Sequence, residues 1–82
     1  MRISFVKSAE RELLRLDKKL GQRIFHKISL LKDAPYGQNS QKLENGKGYR
    51  MRIGDYRVVY AIDKENQTII VIKIRHRKEV YR

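Results

Sequence analysis

No cysteine occurs among the 82 residues, which excludes disulfides and thiolate metal sites and leaves nothing that calls for an oxidising compartment. There is no internal repeat and no long apolar run. The N-terminal stretch Met1 to Lys7 is interrupted by Arg2 and Ser4, so it reads as neither a signal peptide nor a membrane span. A soluble, cytoplasmic protein is the expectation. Acidic residues are also scarce: 9 Asp and Glu stand against 20 Lys and Arg, a formal charge of +11. The chain suits one compact domain, residues 1–82, and is too short for two. So large an excess on so small a domain implies an acidic partner. Nucleic acid fits best, because neutralising phosphates releases counterions; an anionic membrane surface or an acidic protein is compatible with charge alone.

Hydrophobic spacing gives the elements. Ile3 and Phe5 alternate with polar neighbours between Arg2 and Val6, as in a short strand. Ser8 suits a helix N-cap, with Glu10 and Glu12 early in the helix where the dipole favours negative charge. Ala9, Leu13, Leu16 and Leu20 then recur at helical spacing, and Gly21 is expected to end that helix. A second stripe of Ile24, Ile28 and Leu31, with Phe25 beside it, stops before Pro35. Helices joined so tightly should form a hairpin. Tyr36 to Gly48 reads as a loop anchored by Leu43. Beyond it, Tyr49–Ile53 and Tyr56–Ile62 alternate as strands and Thr68–Arg75 is a β-branched run containing Ile70, Ile72 and Ile74, with turns at Gly54-Asp55 and Asp63–Gln67. The expected architecture is α+β, in the order β-α-α-β-β-β, with a helical hairpin packed on one face of a twisted antiparallel sheet.

Strand register predicts a site. With Gly54 and Asp55 as turn residues, Arg52 faces Arg57 and Met51 faces Val58. A three-residue loop, Lys64-Glu65-Asn66, keeps the core face continuous by placing Tyr56, Val58 and Tyr60 opposite Ile74, Ile72 and Ile70. The other face then carries Arg57 opposite Lys73, with Arg52 on its other side and Arg50 and Arg75 close by. Like charges directly opposite on a sheet cost up to about 1 kcal/mol per pair. Stability would select against the arrangement, so the open face reads as a docking surface for a polyanion. The alternative is that long cationic stems merely cover the sheet and splay into water. The ending from Arg75 to Arg82 adds His76, more cations and Tyr81, a ring that could stack on a single-stranded base or plug the fold.

The available chemistry is narrow. No carboxylates gather on the basic face, and His26 and His76 lie on different elements, so no metal site and no cofactor is expected. No serine has a plausible His and Asp partner, and Gly46-Lys47-Gly48 lacks phosphate-loop spacing. Cleavage of RNA by its own 2′-hydroxyl remains, where a protein need only orient the strand, stabilise the pentavalent phosphate and assist proton transfer.

The stretch YRMRIGDYRVVY, residues 49–60, and the ending HRKEVYR, residues 76–82, resemble the RelE branch of the RelE/ParE toxin superfamily, in the right order and at the right separation. That resemblance covers essentially the whole chain. It implies the RelE-like fold and the toxin of a type II toxin–antitoxin pair: a metal-independent endoribonuclease that enters the ribosomal A site, cuts the mRNA codon there, inhibits translation, and is silenced by an acidic RelB-like antitoxin wrapped around it in a hetero-oligomeric complex. Carried over by position, Arg50 and Arg52 take roles in proton abstraction and phosphate stabilisation. Arg57 steadies the transition state, Arg77 serves the leaving oxygen, with Arg75 as the alternative, and Tyr81 stacks on the mRNA base. The family's best-studied pattern has lysines where this chain has Arg50 and Arg52, and arginine is a poor general base. Proton transfer therefore falls to His76 or Glu79 as alternatives. Lys47, Lys73, Arg75, Lys78 and Arg82 are the further candidates for RNA binding. Two other readings stay open: a ParE-like toxin that inhibits DNA gyrase by binding, and an RNA- or ribosome-binding module without chemistry.

Overall fold

The computed structural model describes residues 1–36, 40–43, 46 and 48–80, the side chains of Glu79 and Val80 excepted. Strand β1 (Arg2–Phe5) leads into helices α1 (Lys7–Arg15) and α2 (Lys18–Ser29), the latter extended by a 3-10 turn at Leu30–Lys32. Strands β2 (Ser40–Lys42), β3 (Tyr49–Ile53), β4 (Tyr56–Asp63) and β5 (Thr68–His76) follow, and a short helix α3 (Arg77–Val80) comes after them. The α+β class and the helical hairpin are as expected. The sheet is mixed rather than antiparallel: its order is β1-β5-β4-β3-β2, and β1 runs parallel to β5. That pairing seats Ile3 beside Ile69 and Phe5 beside Val71, so the alternating N-terminal strand covers the edge of the most β-branched one. Strand β2 lies in the segment expected to be loop. Its side-chain ties to the rest of the sheet are polar, which is why no hydrophobic alternation announces it.

The helices break earlier than their apolar stripe suggests. Glu10 N–H donates to the Val6 carbonyl at 3.0 Å, so α1 starts directly off the strand with Val6 at the cap position and without a side-chain cap. Ser8 is therefore inside the first turn and is not the N-cap. Leu16 turns extended, at φ −72° and ψ 153°, and Gly21 lies within α2 instead of ending the first helix. The stripe still works after the break, since Leu13, Leu16 and Leu20 all pack against the core. Its centre is Ala9, Ile24, Ile28, Val58, Tyr60, Ile69 and Val71, all fully buried. Among the described residues no helix is long and apolar enough to cross a membrane.

The β3–β4 hairpin has the expected register, with Met51 opposite Val58 and Arg52 opposite Arg57. Gly54 takes φ 58°, and no other turn residue has a positive φ, as a two-residue type II′ turn requires. The β4–β5 register differs from expectation. The turn has four residues between Asp63 and Thr68 instead of three, and a bulge lets Tyr60 face Val71 while its neighbour Val59 faces Lys73. Ile72 is the extra residue. Ile69, Val71 and Ile74 are consequently the buried residues of β5, while Ile70 and Ile72 are only half-buried. The bulge changes which parity points inward halfway along the strand, and it pairs Arg57 with Arg75, not with Lys73.

Candidate nucleic-acid interface

On the sheet face away from Val58 and Ile74, three arginines stand in one row across three strands: Arg52 on β3, Arg57 on β4 and Arg75 on β5. One step along, a second row runs Gln41, Arg50, Val59, Lys73. The two rows differ in how they are held. The Arg50 guanidinium donates from Nη2 and Nε to Gln41 Oε1, at 2.9 and 3.3 Å, and its neighbour on β4 is the neutral Val59. Arg52 is exposed, directly opposite another guanidinium, and forms no ion pair among the described residues. Arg75 reaches back to Glu12 of α1 at 3.7 Å and donates to the Ile74 carbonyl at 3.2 Å, so part of its charge is met from the helical hairpin.

Beside the first row opens a cleft of about 270 Å³ whose cationic walls are Arg52, Arg57, Arg77 and Lys78, with Gly54 to Tyr56 completing the lining. The β3–β4 turn positions the C-terminal wall. Arg77 N–H donates to the Asp55 carbonyl at 2.7 Å, and Arg77 Nε lies 3.9 Å from Asp55 Oδ1. Both side chains are about two-thirds exposed, so the ion pair itself is weak; the backbone bond does most of the fixing. Of the two tail arginines, Arg77 lines the cleft while Arg75 is the third member of the row.

The structure separates His76 from this surface. It pairs with Tyr56 and shares the face of Val58 and Ile74, opposite to Arg57 and Arg75. Its ring makes an edge contact with Tyr56, centroids 5.2 Å apart, and its Nδ1 accepts from the Lys78 N–H at 3.2 Å. Lys47, Tyr81 and Arg82 lie outside the described residues, as does the Glu79 side chain. Among the described residues no three His, Cys, Asp or Glu side chains come together to hold a metal ion.

Three residues missing from the sequence-derived site matter to its geometry: Asp55, Gln41 and Glu12. Asp55 reads as a turn residue, Gln41 falls in a segment without periodicity, and Glu12 looks like a helix-dipole residue. Only the fold makes each the partner of a site arginine.

The family model for the ParE toxin of type II toxin–antitoxin systems matches residues 3–81. The chain belongs to the ParE toxin family. Among relatives of this ParE-family toxin, Toxin RelG of Mycobacterium tuberculosis is 38% identical over 34 residues, a match spanning 42% of this chain and 39% of that protein. The structure of the archaeal RelE–RelB complex from Pyrococcus horikoshii OT3 matches at TM-score 0.81 and 29% identity, covering 93% of each chain. The isolated E. coli RelE toxin matches at TM-score 0.81 over 98% of this chain and 89% of its own, at 21% identity, a likeness of fold. Family and fold together place this toxin in the RelE/ParE superfamily.

Proposed function

We propose that this toxin is a metal-independent endoribonuclease that cleaves mRNA in the ribosomal A site. The observation that carries the reading is the row Arg52, Arg57, Arg75 with Arg77 and Lys78 walling the adjacent cleft. Adjacent guanidiniums that repel one another in the free protein become favourable once a phosphate lies between them, and charge-assisted forks to phosphate are the strongest hydrogen bonds a side chain offers. In this reading the 2′-oxygen attacks the adjacent phosphorus and the 5′-oxygen leaves, giving a 2′,3′-cyclic phosphate and a 5′-hydroxyl. Arg57, at the centre of the row, meets the extra negative charge of the pentavalent phosphate. Arg52 and Arg50 hold the flanking phosphates, Arg77 serves the leaving oxygen, and Tyr81 stacks on the base. Lys47, Lys73, Lys78 and Arg82 extend the interaction along the strand. Clustered positive charge makes the 2′-hydroxyl easier to deprotonate, and Glu79 is the residue assigned to accept its proton.

A RelB-like antitoxin, acidic and wrapped over this face, completes the proposal; charge complementarity favours it, and the Pyrococcus horikoshii RelE is seen with a RelB. A second reading has one observation in its favour, namely that the matching family model is that of ParE toxins: inhibition of DNA gyrase by binding. Induced expression without antitoxin separates the two. Comparing wild type with Arg57→Ala and Tyr81→Ala while mapping 5′ ends of a translated message should show cuts inside codons that fade in both variants. Growth arrest without cuts, equal in all three, would replace the nuclease by the gyrase reading.

A further inference from the structure

We infer that His76 is a positioning residue whose neutral imidazole caps α3 and so holds Arg77 and Lys78 at the cationic cleft, and that it is not the proton carrier of the reaction. The assignment of the cap stands on geometry; its consequence for cleavage rests on the nuclease reading above.

The first amides of a helix have no partner within it, and a helix as short as Arg77–Val80 has little ladder of its own to hold it in place. Here both leading amides are taken up from outside: Arg77 N–H by the Asp55 carbonyl at 2.7 Å and Lys78 N–H by His76 Nδ1 at 3.2 Å. His76 immediately precedes α3, so it occupies the position from which Asn, Asp or Ser normally caps the second or third amide. An imidazole can accept at Nδ1 only when the ring is neutral with its proton on Nε2. The ring is also held from the side by Tyr56, which restricts the directions in which Nδ1 can point. The opposite face of the strand, where Arg75 and Arg57 pair, is where a scissile phosphate would lie. His76 therefore acts on the cleft through the helix it caps.

A pH response follows. Protonating the ring turns Nδ1 into a donor that faces another donor, so the cap is lost. The charged groups around the ring are Arg23 from α2 and Asp55 from the β3–β4 turn, which line a second pocket with His76, separate from the cationic cleft, together with Arg77 and Lys78 on α3.

The test compares wild type, His76→Asn and His76→Ala. Asparagine caps but neither titrates nor shuttles protons. Two readouts are taken from pH 5.5 to 7.5: the protection factor of the Lys78 amide by NMR, which needs no RNA, and cleavage of translated message. The expected result is a wild-type Lys78 amide that loses protection as pH falls, an alanine variant unprotected throughout, and an asparagine variant protected at every pH. Cleavage should drop about five- to tenfold in His76→Ala, the population effect of a lost cap, and be largely recovered and flat with pH in His76→Asn. A protected Lys78 amide in His76→Ala overturns the cap. A protected amide with lost cleavage in His76→Asn overturns the positioning role and makes His76 the proton carrier. Should wild type cut no RNA at all, the nuclease reading fails, while the amide measurements still decide whether His76 caps α3.

Discussion

Arg50 and Arg52 sit two residues apart on one strand, on one face, with the same charge, and the structure predicts opposite effects on stability when each is neutralised. Methionine is the informative replacement because it keeps an unbranched apolar stem and removes the guanidinium. Arg52 lies directly opposite Arg57, and a like-charged cross-strand pair costs roughly 0.2–1 kcal/mol. Because Arg52 is exposed, the lower half of that range applies, and Arg52→Met should gain about 0.2–0.5 kcal/mol. For a domain of this size that is a rise in Tm of about 1–4 °C. Arg50 has Val59 on one side and the 2.9 Å bond to Gln41 on the other. Arg50→Met relieves no direct pair and loses a hydrogen bond worth about 0.5–1.5 kcal/mol, a fall in Tm of at least about 2 °C. Thermal unfolding followed by circular dichroism at low and high salt is the assay. The gain in Arg52→Met should shrink at 1 M salt, where the Debye length is about 3 Å. In RNA binding both variants should flatten the salt dependence, by about 0.7 in slope for each single-strand phosphate that is no longer neutralised. If both variants shifted Tm in the same direction, the cross-strand geometry would not govern the energetics of this face, and the case that the row exists for a ligand would lose its physical basis.

Three further outcomes follow from the same structure. Tyr60 Oη donates to the Pro35 carbonyl at 2.7 Å and shares a 2.7 Å hydrogen bond with Ser40 Oγ, tying β2 to the core; Tyr60→Phe should cost about 1–2 kcal/mol by chemical denaturation, with amide exchange rising first at β2. Burial pushes the Tyr60 phenol above its usual value, with the Ser40 bond pulling the other way. The stability tied to the neutral ring is thus complete below the ordinary phenol range near pH 10 and is lost as pH rises through the folded value, a window that Tyr60→Phe should abolish. Asp63 behaves in the opposite sense: the Asn66 side chain and backbone hydrogen-bond its carboxylate and hold it below the usual range, so its contribution is present above about pH 4 and disappears as pH falls through the depressed value, and Asp63→Asn should flatten that part of an acid titration. Gly48, at φ 144°, would place a Cβ 2.8 Å from the Tyr60 carbonyl oxygen, whereas a Cβ at Gly54, φ 58°, meets nothing within 4 Å; Gly54→Ala should cost about 1–2 kcal/mol of backbone strain, and Gly48→Ala measurably more in the same denaturation assay.

The sequence made one hairpin legible to the residue and misread the other, for a physical reason. Gly54-Asp55 is a two-residue turn with a single admissible register, and the inward residues Met51, Ile53 and Val58 all alternate in phase with it. In β5 the run Ile69, Ile70, Val71, Ile72 is apolar at every position, so alternation cannot say which residues face inward, and either parity makes a plausible core. The four-residue turn selects the odd parity at one end, and the bulge at Ile72 restores the even parity at the other. The parallel β1–β5 pairing was equally invisible, because it joins the two ends of the chain and no local signal encodes it.

That bulge bears on function as well as fold. Had β5 kept one parity throughout with Val71 inward, Lys73 and Arg75 would point into the core and Ile74 outward. A core cannot take two unpaired cations, so the strand must switch phase somewhere between Val71 and Lys73, and Ile72 is the only residue available for it. The switch puts Arg75 in line with Arg57 and Arg52 and leaves His76 on the far side, where it can accept the Lys78 amide. The location of three site residues therefore follows from one inserted residue. Deleting Ile72 should remove the bulge and leave Lys73 opposite Val59, Arg75 opposite Arg57 and His76 opposite Tyr56, so that the cationic row and the cap both persist. A deletion variant that folded but no longer bound RNA would show that the phase switch at Ile72 is not what sets the register of this surface.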